Sequence, residues 1–263
     1  GLRPTLSRAE AMLARAARAG RISSIPSRAL STAVQRGAQD FHELRERSLL
    51  RYTLKASTEG DALSVIDAMD AFWQEYYKGQ STTEWKLRGA ALDDAIKKAS
   101  PSTAMELGTY CGYSAIRIGR LLPPGGKLVS VEVDPLYAAI ATKVVEHAGL
   151  GDSVKIEIGD LAEKFERIAT KYSLGPLDAL LMDHGASNYL PDLTYLESKG
   201  MIKEDTAVLC DWSLYPGSDD DPQAPSNHEA FMKHMQSSGR GALGKTSVSK
   251  KDVFSVNTWS GVI

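Results

Sequence analysis

Two stretches, Ser102–Ser114 (STAMELGTYCGYS) and Val129–Asp134 (VSVEVD), constrain this chain more than any other part of it. Thr103–Leu107 is a short apolar run with one acid, Glu106, near its end, and Gly108 follows. From Ser114 the spacing turns helical, with Ile116, Ile118, Leu121 and Leu122. A strand, a tight glycine turn and a helix N-terminus place a ligand outside the carboxyl end of the first strand of an open α/β sheet. Gly108 and Gly112 allow positive φ and a close backbone approach. Lys127–Val131 reads as the next strand. It is closed by Glu132, whose carboxylate can accept both hydroxyls of a ribose at a suitable distance from Gly108.

A plain sheet-to-helix turn is the competing reading, because many strands end in Gly-x-x-x-Gly. The turn falls short of G-x-G-x-x-G, and no Lys-Ser or Lys-Thr follows it. That disfavours a nucleotide polyphosphate, and a nicotinamide-dependent dehydrogenase with it. A ligand with a ribose and no phosphates fits better, and S-adenosylmethionine is the candidate.

MELGTYCGYSAIR closely resembles the first motif of the catechol O-methyltransferase-like family of S-adenosylmethionine-dependent methyltransferases. The resemblance continues in order through Asp134-Pro135, Tyr137–Ile140, His147–Leu150, Gly159, Leu177-Asp178, Met182–His184 and Tyr189–Asp192, and runs from roughly Glu46 to Asp211. It implies an α/β, Rossmann-like methyltransferase fold: a mostly parallel seven-stranded sheet with helices on both faces, here with extra N-terminal helices. It also implies a donor site drawn from Glu84, Glu106, Gly108, Tyr110, Ser114, Glu132, Val133, Asp160, Leu161 and Asp183.

The 263 residues are 43% apolar, enough for one good core, and the net charge of −2 argues against a nucleic-acid surface. Two cysteines, Cys111 and Cys210, do not make a disulfide framework, so a reducing, cytoplasmic setting is expected. No apolar run reaches the length of a membrane span.

Charge is uneven. Gly1–Gly37 holds seven Arg, no Lys and one acid, Glu10. An Arg-, Ser- and Ala-rich, acid-poor segment has the look of an organelle leader, which would mean import. It also has the look of structured helix, with Ser7 and Glu10 as a capping box before Ala11–Ala19. The second reading is preferred, giving a basic helical extension over 1–40 that either covers a face of the domain or joins two copies as a homodimer, and a methyltransferase domain over 41–263. A first residue of Gly rather than Met leads us to expect a trimmed terminus.

Helices are expected over Phe41–Lys55, Gly60–Tyr77 and Glu84–Lys98. Phe72, Trp73, Tyr76 and Tyr77 either line a cleft or pack as core at helical spacing. The chain then alternates strand and helix in the rhythm of a parallel sheet. Strands are expected at Val154–Ile158, Leu177–Met182 and Ala207–Cys210. Asp160 either accepts an adenine amino group or caps a helix. Near the end, helix Asn227–Gln236, a loop over Gly239–Gly244 and a hairpin of Lys245–Ser249 with Asp252–Trp259 are expected.

Metal-dependent members of the family hold magnesium with two aspartates and an asparagine, and a lysine takes the acceptor's proton. By resemblance Asp183 and Asp211 stand at the carboxylate positions. The asparagine position holds Trp212, whose indole N–H only donates and cannot ligate a cation. The lysine position holds Ala186, and the position of an adenine-flanking tryptophan holds Gly185. Asp219–Asp221 either supply a replacement ligand or form a solvated acidic loop. His184 is the candidate general base, its ordinary pKa lying closest to neutrality; a cofactor-contacting role competes. Trp212 and Tyr215 are candidates for a flat wall beside the acceptor. The leading expectation is a donor-dependent methyltransferase acting on a small aromatic or planar molecule without magnesium. The alternatives are a non-catalytic cofactor-binding partner protein and a magnesium-dependent catechol enzyme with a replaced ligand.

Overall fold

A computed structural model describes residues 45–76, 83–211, 224–237, 241–244 and 254–259. Its strands are β1 (Thr103–Leu107), β2 (Lys127–Glu132), β3 (Val154–Ile158), β4 (Leu177–Met182), β5 (Ile202–Asp211), β6 (Gly241–Gly244) and β7 (Phe254–Trp259). They lie side by side in the order β3-β2-β1-β4-β5-β7-β6. β1 through β5 run parallel, and β7 pairs antiparallel with both β5 and β6.

Helix α1 spans 45–56. The others are α2 (Ala62–Tyr76), α3 (Thr83–Ala99), α4 (Tyr113–Gly119), α5 (Pro135–His147), α6 (Leu161–Tyr172), α7 (Tyr189–Ser198) and α8 (Ala224–Ser237). Alternation along the strands decides which helices cover which face. Ala104, Leu128, Ala179, Leu181 and Leu209 pack against Leu49, Met69, Ile96, Ile116 and Val144, from α1 to α5. Met105, Val129, Leu180, Met182 and Val208 pack against Phe165, Ile168, Leu193 and Phe231, from α6 to α8. β4, LDALLM, is buried along almost its whole length, as a central parallel strand must be.

Local chemistry sets the helix starts. Asp134 caps α5 by accepting from the Leu136 and Tyr137 N–H groups, and Pro135 supplies the first helical residue. Asp160 caps α6 by accepting from the Ala162 N–H at 2.9 Å, so the capping use expected for it is realised.

Three expectations need correction. β5 begins at Ile202 rather than Ala207. Lys203, Glu204 and Asp205 are exposed and polar, so no apolar period marks that part as strand; pairing of Ile202 with Leu177 holds it. Gly241–Gly244, expected as loop, is strand β6, formed by backbone pairing with Val256–Trp259 rather than by propensity. Helix α8 begins earlier than expected, at Ala224. The N-terminal extension over 1–40, Lys245–Ser249 and the Asp219–Asp221 loop lie outside the described residues.

Candidate active site

The sheet order reverses between β1 and β4: from β1 the chain moves to β2 on one side, and β4 lies on the other. Such a switch point opens a crevice beyond the carboxyl ends of the two strands. Gly108 (φ +92°) turns the chain there. Its N–H donates to the Val131 carbonyl at 2.9 Å, while the Asp183 N–H donates to the Leu107 carbonyl at 2.8 Å. Tyr110 also has positive φ, +49°, an uncommon conformation for a residue with a side chain.

Glu132 holds that turn in place. One carboxylate oxygen accepts from the Tyr110 N–H at 2.7 Å and the other from the Asp134 N–H at 2.9 Å. Each oxygen keeps a second lone pair, so a ligand diol can still be accepted. The side chain is nearly buried yet lines an open cleft. Gly108, Tyr110, Val133, Asp160, Leu161 and Asp183, six of the expected donor-site residues, line the same cleft. Tyr137, Asn188 and Asp192 line it too, without having been singled out for a role.

A second, narrower cavity shares Tyr110 and Asp183 with the first. Its walls are largely apolar, with Met69, Trp73, Leu92 and Leu181, and Ser114, Arg88 and Asp211 add polar groups. Of the aromatic cluster, Trp73 lines this cavity and is 5% exposed, whereas Tyr76 is 52% exposed. Tyr77 lies outside the described residues.

Glu106 lines neither cavity. It sits beneath them, fully buried, in register with Ser130 of β2, whose hydroxyl donates to its carboxyl. Thr109 Oγ1 lies 2.5 Å from the same Ser130 hydroxyl. Burial pushes the Glu106 carboxyl up to about 8; the Ser114 and Ser130 hydroxyls oppose this, and the charges of Asp183 and Glu132 reinforce it.

His184 lines the first cleft and not the second. Its Nε2 lies 2.8 Å from Asp192 Oδ2. Its ring is 5.0 Å from that of Tyr189, and its buried Nδ1 has no hydrogen-bond partner among the described residues. The Tyr189 hydroxyl donates to the Asp211 carbonyl.

Asp183 follows the end of β4 and Asp211 is the last residue of β5, just past the registered pair Met182 and Cys210. The Asp211 carboxylate is ion-paired with the guanidinium of Arg88 from α3, a residue the sequence reading passed over. It is one of four cations (with Lys86, Lys97 and Lys98) in a helix that the resemblance lays over the cleft, and nothing local sets it apart. Among the described residues, no three His, Cys, Asp or Glu side chains gather as a metal-holding group. A carboxylate already facing a guanidinium does not fit a hard divalent cation, which needs several oxygens around it. Trp212, Tyr215 and the side chain of Glu84 lie outside the described residues. Cys111 and Cys210 are both buried and are not joined in a disulfide.

A model of the O-methyltransferase family matches residues 86–239 of this chain. Catechol O-methyltransferase of Bos taurus is 38% identical over 176 residues, covering 67% of this chain and 64% of that protein. The Mus musculus catechol O-methyltransferase is 37% identical over 181 residues, covering 67% and 66%. The chain thus spans a little under two thirds of the length of these relatives. Among solved structures, the O-methyltransferase TomG from Streptomyces achromogenes, in complex with SAM, superposes with a TM-score of 0.55. That match covers 74% of this chain and 96% of the other at 16% identity, a likeness of fold.

Proposed function

The chain belongs to the O-methyltransferase family, and from that premise we propose that it is an S-adenosylmethionine-dependent methyltransferase resembling catechol O-methyltransferase. Its acceptor is a small aromatic or otherwise planar molecule. The observation that carries this reading is Glu132, a carboxylate fixed by two backbone N–H groups at the rim of the first cleft with lone pairs left for a ribose.

In this reading Glu132 accepts the ribose hydroxyls, and Val133, Asp160 and Leu161 receive the adenine. Gly108, Tyr110 and Asp183 pass the donor from the first cleft into the second cavity. There Ser114 and Asp183 meet its amino-acid end. When bound, the donor supplies a methyl group on a sulfonium, and an acceptor atom bonds to that carbon as the carbon–sulfur bond breaks. The chain's part is to hold the acceptor in line, using the apolar wall of Met69, Trp73 and Leu92. Such positioning alone is worth about 7–11 kcal/mol of a barrier at its best. His184 lines the donor cleft and not the acceptor cavity, with its ring oriented by Asp192, so it takes the cofactor-contacting role in this reading. Neither the metal nor the lysine of the metal-dependent members is retained in this reading, so transfer proceeds in EDTA.

Calorimetry with S-adenosylmethionine, S-adenosylhomocysteine and NAD is the first test, and binding of NAD alone overturns the donor assignment. Labelled donor with a panel of phenols in EDTA is the second. Donor binding without transfer to any of them leaves the non-catalytic reading, and transfer that needs magnesium returns the metal.

We also infer that 1–40 is a basic helical extension to the 41–263 domain, that it pairs two copies, and that the protein acts in the cytoplasm; import into an organelle is the competing outcome. Sedimentation of the chain with and without 1–40, and fractionation of cells, test these points. Among the described residues no helix is long and apolar enough to cross a membrane.

A further inference from the structure

Asp183 and Asp211 are the two acids that the family resemblance assigns to a divalent ion, and both line the second cavity. The same cavity is lined by Arg88, whose guanidinium is in ion-pair contact with the Asp211 carboxylate. The pair is well shielded, with the arginine side chain 12% and the aspartate side chain 5% exposed. Removing a guanidinium and a carboxylate from water is unfavourable for either alone, so each depends on the other. One cation and two carboxylates therefore act on the same small volume.

We propose that Arg88 is the resident cation of this site: its guanidinium takes the place of a divalent ion against Asp211 and Asp183, so the chain neutralises its own carboxylates and keeps a metal out. The proposal rests on the methyltransferase reading only for what the site is used for. Exclusion of a cation is independent of whether any methyl group is transferred.

A guanidinium borne on the chain cannot leave the site as a bound ion can, so no chelator removes it. Its chemistry also differs from that of the ion it replaces. A guanidinium donates hydrogen bonds in one plane and has no empty orbital for oxygen, so it offers an acceptor oxygen hydrogen bonds and charge but no Lewis-acid coordination.

Mn²⁺ serves as the probe, because it accepts the oxygen ligands that suit magnesium and its paramagnetism reports free and bound ion separately. The full chain is titrated with Mn²⁺ and followed by electron paramagnetic resonance. The unmodified protein is expected to show no saturable site. Arg88→Ala is expected to bind one Mn²⁺ at least tenfold more tightly than the unmodified chain, and Asp211→Asn added to it is expected to abolish that gain. One Mn²⁺ bound by the unmodified protein and lost in Asp211→Asn overturns the proposal, because the guanidinium then yields to the metal. An Arg88→Ala protein that folds and gains no Mn²⁺ overturns it as well. Arg88→Gln, closer in shape, carries the same comparison if the alanine variant does not fold, and the unmodified titration decides if neither does. Calorimetry of S-adenosylhomocysteine on the unmodified chain runs in parallel: its failure sinks the methyltransferase reading and leaves the Mn²⁺ result standing.

Discussion

Gly108 and Asp183, which follow the ends of neighbouring parallel strands, approach so closely that a β-carbon on the glycine would lie 2.2 Å from the Asp183 carbonyl oxygen. The obstacle is backbone, so it cannot rotate aside, and φ at Gly108 is +92°, where side chains are strained. Gly108→Ala is expected to cost more than about 2 kcal/mol of stability, since the strands must part at the switch point. Gly175→Ala, where nothing lies within 4 Å, is the control and should change stability by less than about 0.5 kcal/mol. Thermal unfolding of the two variants side by side is the measurement; equal melting temperatures would show that β1 and β4 separate easily.

Glu132 offers a direct test of the donor site. Charge-assisted hydrogen bonds are worth about 1.5–3 kcal/mol, so Glu132→Ala should weaken S-adenosylhomocysteine binding by roughly ten- to a hundredfold. Calorimetry on a variant shown to be folded by circular dichroism reads this out. Undiminished affinity would place the ribose elsewhere.

Glu106 gives the molecule a pH signature. Its carboxyl titrates near 8 when folded, against an ordinary value of 4.5. Between these values the folded chain holds a proton that the unfolded chain has released, so stability falls as pH rises. This contribution is full below about 4.5 and gone above about 8. Urea midpoints measured from pH 5 to 8.5 should decline more steeply in the parent than in Glu106→Gln, and the variant should be the more stable of the two at pH 8.5. Parallel profiles would mean the buried acid is ionised throughout.

Asp93 ties α3 to α4. One of its oxygens accepts from Arg117 at 2.7 Å and also from Arg120. Asp93 and Arg117 are both buried. Asp93→Asn should cost about 3–5 kcal/mol, because a guanidinium is left shielded from water without its counter-charge. Chemical denaturation measures it, and a loss below 1 kcal/mol would show that water reaches the arginines.

Legibility in the sequence follows from how local each signal is. The Gly108 turn, the acid at Glu132 and the Asp160 cap are decided within a few residues, and their spacing alone points to them. The partnership of Arg88 with Asp211 joins residues 123 positions apart (211 − 88). No local period marks it, and only the packing of α3 across the ends of β4 and β5 brings it about. Glu106 illustrates the opposite limit. Its place in a ligand-site motif was plain, but strand alternation turns its carboxyl toward Ser130 and away from both cavities. Strand β6 was hidden for another reason: Gly-Ala-Leu-Gly has no strand propensity, and its conformation is set by its neighbour β7.

Tyr110 is moored at both ends, its N–H to Glu132 and its hydroxyl to Glu46. Its ring stacks 6.4 Å from Trp73 in the second cavity and meets Tyr137 of the first cleft edge-on at 4.9 Å. The two cavities therefore share a party wall, and an occupant that shifts this ring on one side alters the space available on the other. Thermodynamic linkage makes the influence mutual, so whatever factor the first guest imposes on the second, the second returns. Binding order in this protein then becomes a property that one aromatic ring can set.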